Sequence, residues 1–98
     1  MPPRHNADMA FYDPYKESRE LDALCAKGLT LQDVKRCVEI VDIYAKRDDD
    51  EVAHMLRDKL FDTALAIIGC GRFTAEEAAE FAKAVLQTRN SNFSEWCA

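Results

Sequence analysis

The chain has 98 residues, of which 48% are hydrophobic and 32% are charged, a composition ordinary for one small globular domain. Thirteen basic and eighteen acidic residues give a formal net charge of −5, which disfavours binding to phosphate backbones unless the basic side chains gather on one face. No apolar run approaches the length of a membrane span, and Met1 to Tyr15 lacks the apolar stretch of a signal peptide, so we expect a cytoplasmic protein without membrane contact.

Residues 1–14 are expected to form a loose N-terminal arm, because three prolines and several short polar residues resist regular structure there. The arm also contains Met9, Phe11 and Tyr12, which are too apolar for a fully solvated tail. Contact with the core and contact with a partner are both open for these side chains. Residues 15–98 are predicted to form a single helical domain.

The first hairpin is predicted from a helix at about Tyr15 to Lys27, a turn, and a second helix at about Leu31 to Arg47. Gly28 suits a left-handed helix end, and Thr30 with Asp33 has the spacing of a capping box. The second helix carries a wide apolar stripe, which indicates a central helix or one that faces a second subunit of a homodimer. The stripe consists of Val34, Cys37, Val38, Val41, Tyr44 and Ala45, and Ile40 and Ile43 lie beside it and widen it.

The second hairpin begins after the acidic run Asp48, Asp49, Asp50 and Glu51, which suits the N-cap and the positive end of a third helix. That helix is predicted to end at about Ile68 before Gly69-Cys70-Gly71, and we expect it to be buried on a broad face that includes Phe61 and Leu65. Thr74 with Glu77 repeats the capping box and opens a fourth helix to about Thr88, with Phe73 placed to pack against Ala78. Its expected inner face is Ala75, Ala78, Ala79, Ala82, Val85 and Leu86.

These elements predict an all-α fold, a compact bundle of four main helices arranged as two αα-hairpins. Strands are not indicated. Phe93 to Trp96 is expected to add a short C-terminal helical turn, with Trp96 either closing the core or anchoring a partner.

No catalytic, metal or cofactor motif is visible, so an enzyme is not expected. The four cysteines (Cys25, Cys37, Cys70 and Cys97) lack a CxxC spacing and are expected to be reduced, with a disulfide or a metal role as the open alternatives. His5 has no partner pattern. His54 lies one helical turn from Asp50 and from Asp58, a line that fits a surface ion cluster as well as a histidine of raised proton affinity.

A helix-turn-helix would place the second helix of either hairpin in the major groove of DNA. The fourth helix begins with acids where contacts to bases and phosphates need donors. The second helix has mixed charge, and a dimeric DNA-binding regulator that uses Lys35 and Arg36 stays open as the alternative function. Direct nucleic-acid binding is otherwise disfavoured by the net charge. A structural or assembly subunit is a third possibility.

The acids also suggest mimicry of nucleic-acid phosphates, with the carboxylates docking onto the basic surface of another protein. Asp58 and Asp62 extend the candidate surface, and helix capping is the simpler explanation for the acidic run alone. The residues predicted to bind a partner are Asp48, Asp49, Asp50, Glu51, Glu76, Glu77, Glu80 and Trp96.

The second half of the chain resembles small accessory proteins carried by bacteriophages and other mobile elements. The resemblance covers about the last forty residues, in Arg57-Asp58-Lys59-Leu60, Thr74-Ala75-Glu76-Glu77 and the stretch from Asn92 to Ala98. A compact acidic helical domain is similar in kind to anti-CRISPR inhibitors, which occupy surfaces of a host nuclease or surveillance complex. The resemblance implies a non-enzymatic inhibitor of a bacterial host protein, and it carries no functional residue with it.

Overall fold

The computed structural model describes residues 13–91 of the chain. These residues contain four α-helices and one short 3₁₀ helix, joined by short turns. The helices are α1 (Lys16–Lys27), α2 (Leu31–Lys46), α3 (Asp50–Gly69) and α4 (Ala75–Val85), and the 3₁₀ helix is η1 (Leu86–Asn90). No strand occurs within residues 13–91, which confirms the all-α prediction. The predicted turn at Phe93 to Trp96 lies outside the described residues.

Both predicted capping boxes are present. The Thr30 hydroxyl accepts a hydrogen bond from the Asp33 backbone N–H at 3.1 Å, and the Asp33 carboxylate accepts one from the Thr30 N–H at 3.0 Å. Thr74 and Glu77 make the same pair of bonds at 3.1 and 2.9 Å. The glycines that precede these turns have positive φ angles, 94° at Gly28 and 79° at Gly71, a region that glycine enters without a steric penalty.

The turn between α2 and α3 is built differently, because Asp48 takes the left-handed conformation with φ 60°. The Asp49 N–H donates to the Tyr44 carbonyl oxygen at 3.0 Å, and the Asp48 N–H donates to the Ala45 carbonyl oxygen at 3.1 Å. This is the Schellman arrangement, with an aspartate in the position that glycine usually occupies. Asp49 is the N-cap residue of α3, but its side chain makes no capping hydrogen bond, so this acid caps the helix less completely than predicted.

Helices α2 and α3 form the centre of the bundle, and α1 and α4 each pack against both of them. The predicted stripe on α2 is confirmed except that Val38 is only partly buried. Of the two isoleucines expected to widen the stripe, Ile40 is buried and Ile43 is half-buried. The fully buried large side chains come mainly from α1, α2 and α3: Leu21, Val34, Cys37, Ile40, Val41, Tyr44 and Leu60.

The inner face of α4 differs from the prediction. Phe81 and Val85 are its buried residues, whereas Ala75 and Ala79 are exposed and Leu86 is 38% exposed. Phe73 contacts the ring of Phe81 at 5.2 Å between centroids. Because an aromatic pair buries far more apolar area than a row of alanines, it sets the rotation of the helix.

The prediction that α3 is buried on a broad face is also wrong in part, since Leu65 is 67% exposed.

Candidate protein-docking surface

Most of the predicted partner-binding acids lie on one edge of the bundle. Asp48 to Glu51 form the α2–α3 turn and the first residues of α3, and Asp58 and Asp62 follow on the same helix. Because an α-helix turns 100° per residue, Glu51, Asp58 and Asp62 share an arc of about 40° and span about 16 Å along the axis. All three are exposed. We call the set Asp48, Asp49, Asp50, Glu51, Asp58 and Asp62 the acidic ridge.

The ridge carries a local surplus of negative charge. Among residues 13–91, its members other than Asp58 take part in no ion pair with a described basic side chain. Asp58 lies 3.3 Å from the His54 imidazole and 4.0 Å from the Arg57 guanidinium. The acids of α1 and α2 are paired with a base, in Glu17–Arg47, Glu20–Arg36, Asp22–Lys59, Asp33–Lys27 and Asp42–Lys46, whereas no such pair with a described base involves Glu76, Glu77 or Glu80.

Glu76, Glu77 and Glu80 form a separate acidic surface at the start of α4. This end of α4 follows the C-terminus of α3, about 28 Å along that helix from the start of the ridge. Glu77 and Glu80 line a cleft of about 390 Å³ whose walls include Thr30 and Phe73, so the two capping turns meet at this end of the bundle. The structure therefore divides the predicted acids between two surfaces, and Trp96 lies outside the described residues.

The arginine of α2 that a helix-turn-helix would present to DNA already contacts two carboxylates. The Arg36 guanidinium donates to both carboxylate oxygens of Glu20 at 2.7 and 2.9 Å, and to Glu39 at 3.2 Å. These hydrogen bonds raise the pKa of Arg36 above its usual value. Lys35 is exposed, but α2 packs against α1, α3, α4 and η1. A central helix whose arginine is already neutralised is poorly placed to enter a major groove, which disfavours the DNA-binding alternative.

The cysteines of the described region are free thiols. Cys25 and Cys37 are buried between helices, where a hydrogen bond from Cys37 lowers the pKa of Cys25 to about 6 and the same contact raises the pKa of Cys37. Cys70 is exposed in the α3–α4 turn, and its sulfur accepts a hydrogen bond from the Arg72 Nε at 3.3 Å. Cys97 and His5 lie outside the described residues.

The exposure of Leu65 and Leu86 beside the ridge is contrary to the buried positions predicted for both residues. A signal was present, since Leu65 falls three residues after Asp62 and seven after Asp58. Positions with these spacings share one side of a helix.

Comparison with protein-family models, with curated proteins and with solved structures gave no match. Within residues 13–91, no helix is long and apolar enough to cross a membrane. The same residues contain no group of three or more histidine, cysteine or acidic side chains arranged to hold a metal ion.

Proposed function

We propose that the protein is a non-enzymatic, phage-type inhibitor that docks the acidic ridge onto a basic, nucleic-acid-binding surface of a bacterial host protein, in the manner of anti-CRISPR inhibitors. The observation that carries the proposal is the ion-pair pattern. Asp48 to Glu51 and Asp62 make no ion pair with a described basic residue, while the acids carried by α1 and α2 are paired with basic side chains.

A helix is a suitable support for such mimicry because its backbone fixes the carboxylates before binding. Glu51, Asp58 and Asp62 follow one side of a twenty-residue helix, and the hydrogen-bonded turn at Asp48 fixes the chain direction at its end. A preorganised charge row loses less conformational entropy on binding than a flexible acidic tail. Its field also accelerates the encounter with a basic partner, an effect that salt screens.

The ridge is favoured over the α4 acids for a structural reason. The Glu77 carboxylate already accepts a hydrogen bond from the Thr74 N–H, so part of its charge stabilises the start of α4. Glu51 and Asp62 are exposed and have no such bond to a described residue, which is also true of Glu76 and Glu80. The preference therefore depends on Glu77 and on the larger number of acids in the ridge.

The proposal is tested by capture from a bacterial lysate, using the full chain as bait. The ridge variant carries Glu51→Lys and Asp62→Lys, and the matched control carries Glu76→Lys and Glu80→Lys. Each variant changes the net charge by the same amount and has one substitution in the first turn of a helix. We expect a captured protein that is lost with the ridge variant, retained with the control, and released as salt concentration rises.

Competition separates mimicry from ordinary charge attraction. Duplex DNA or structured RNA added to the captured complex should displace the protein if both occupy the same basic surface. If added nucleic acid does not displace the protein from the captured complex, the mimicry is overturned. Equal capture by the wild type and the ridge variant would overturn the ridge as the docking surface, and loss with the control variant alone would assign docking to the α4 acids.

A further inference from the structure

An apolar groove runs between α3 and α4 beside the acidic ridge. Its volume is about 260 Å³, and its walls include Phe61, Leu65 and Ile68 from α3, Ala82 from α4 and Leu86 from the start of η1. Leu65 is 67% exposed and Leu86 is 38% exposed. A contiguous apolar patch beside charged residues is typical of a protein interaction site.

The shape of the groove suits a helix. Its two walls are the neighbouring helices of a hairpin, and Phe61 to Ile68 covers about 10 Å, or two helical turns. An amphipathic helix laid along such a groove inserts side chains at positions i, i+3 or i+4, and i+7.

The charges beside the groove define the polar side of the occupant. On the α3 edge, Asp58 and Asp62 precede Leu65 by seven and three residues and are exposed. Arg57 lies 5.5 Å from the centre of the Phe61 ring and 4.0 Å from Asp58, so Asp62 supplies the less screened negative charge. On the α4 edge, Lys83 is exposed three residues before Leu86. A helix with lysine or arginine along its α3 edge therefore meets opposite charge, while the same residues along the α4 edge would meet Lys83.

From this combination we infer that the groove binds an amphipathic helix of the partner, with leucine-type side chains in the groove and basic side chains facing Asp58 and Asp62. The inference rests on the proposed function, since the same ridge supplies the acidic edge. It adds the class of segment recognised: a basic amphipathic helix of the partner protein.

The experiment uses a synthetic helical peptide with leucine on one face and lysine on the other, titrated into the isotopically labelled full chain. We expect amide chemical shifts to change around Leu65, Ile68 and Leu86. Leu65→Asn should weaken binding about tenfold, because it removes most of one buried leucine contact. The matched control is Met55→Asn, since Met55 is 58% exposed on the same helix but does not line the groove, and it should leave affinity unchanged.

Charge recognition is tested separately. A peptide with glutamate in place of lysine should bind more weakly, and Asp62→Asn should reduce the difference between the two peptides. Shift changes away from the groove, or equal affinity for the wild type and Leu65→Asn, would overturn the groove assignment. If binding depends on Leu65 but the lysine and glutamate peptides bind with equal affinity, the assignment of basic side chains to the α3 edge is overturned.

Two alternative occupants of the groove can be detected by measurements on the protein without peptide. A red shift of the emission of Trp96, the only tryptophan, in Leu65→Asn but not in Met55→Asn would show that the chain's own C-terminal segment fills the groove. A dimer in sedimentation that Leu65→Asn dissociates would show a second copy there. Either result overturns the inference. Peptide binding in the groove combined with no competition by nucleic acid in the capture experiment would overturn the mimicry alone.

Discussion

The Tyr44 hydroxyl, carried by the central helix α2, donates a hydrogen bond to the Pro14 carbonyl oxygen at 2.6 Å. The same hydroxyl accepts a hydrogen bond from the Ser18 backbone N–H at 3.1 Å. Arg47 adds a second hydrogen bond to the Pro14 carbonyl at 3.2 Å and lies 5.0 Å from the centre of the Tyr44 ring. The buried Tyr44 hydroxyl therefore links the start of α1 to α2 by hydrogen bonds.

Replacement of Tyr44 by phenylalanine should lower the free energy of unfolding by about 1–2 kcal/mol, because it keeps the ring but removes both bonds of the hydroxyl. Urea unfolding followed by circular dichroism measures the effect as a lower midpoint with an unchanged slope. Tyr15→Phe is the control, since Tyr15 is 54% exposed, and it should change stability by less than about 0.5 kcal/mol. Equal midpoints for Tyr44→Phe and the wild type would contradict this role.

Local sequence signals were sufficient to predict where the helices begin and, for α1 to α3, where they end to within about one residue. The fourth helix was predicted to reach about Thr88, but it ends at Val85 and continues as the 3₁₀ helix η1. Thr30 with Asp33 and Thr74 with Glu77 use bonds between residues three apart, so the pattern contains the whole interaction. The stripe on α2 predicted that Tyr44 is buried, but its bond to Pro14 joins residues thirty apart and left no local trace. The rotation of α4 was missed for a related reason, because it depends on the contact between Phe73 and Phe81 and on the shape of the facing helices.

The acids show the same difference between local features, which the sequence predicts, and contacts between helices, which it does not. The spacing of Glu51, Asp58 and Asp62 along one helix is enough to place them on a common edge, where all three are exposed, whereas Asp49 and Asp50 are half-buried. The ion pairs that neutralise other acids, such as Glu20 with Arg36, join different helices and depend on how α1 packs against α2. Net charge alone therefore could not show which carboxylates lack a basic partner among the described residues.

Thr30→Ala should destabilise the protein by about 1 kcal/mol, since it removes the hydroxyl that accepts from the Asp33 N–H. Thr30→Ser is the control, because it keeps the hydroxyl and should retain most of the stability. Chemical unfolding at neutral pH measures both. A serine variant as unstable as the alanine variant would show that the methyl group of Thr30, rather than the cap, is responsible.

The other half of this capping box makes stability depend on pH. A hydrogen bond from Lys27, followed by those from Thr30, holds the pKa of Asp33 below its usual value of 3.8. A lowered folded-state pKa contributes stability above 3.8, and the contribution is lost as pH falls through the folded pKa. Asp33→Asn should therefore be less stable than the wild type at neutral pH, and the difference should shrink in acid. Unfolding midpoints compared across this range would contradict the prediction if the difference stayed constant.

Asp48→Gly should stabilise the protein by roughly 0.5 kcal/mol. Glycine has no side-chain penalty at the positive φ of this position, and this relief exceeds the entropy that glycine adds to the unfolded chain. Asp48→Ala should instead destabilise it, because alanine is less tolerant of this conformation than aspartate. Thermal or urea unfolding ranks the three proteins, and an alanine variant as stable as the glycine variant would contradict the backbone explanation.

Cys70 should be the thiol in residues 13–91 that reacts fastest with iodoacetamide. It is exposed, and the hydrogen bond from Arg72 lowers its pKa below the usual value of 9.0. Cys25 also has a lowered pKa, but it is buried with Cys37, and a thiolate must be accessible to react. Mass spectrometry of digested peptides gives the rate at each site, with Cys97→Ser as the background to remove the fourth thiol.

Arg72→Gln separates the two causes of Cys70 reactivity. Loss of the guanidinium should raise the pKa of Cys70 and slow alkylation several-fold at neutral pH, where the thiolate fraction limits the rate. Well above pH 9.0 both proteins carry the thiolate, so their rates should converge. A rate difference that persists in strong base would mean that Arg72 controls access to the sulfur, since accessibility does not change with the thiolate fraction.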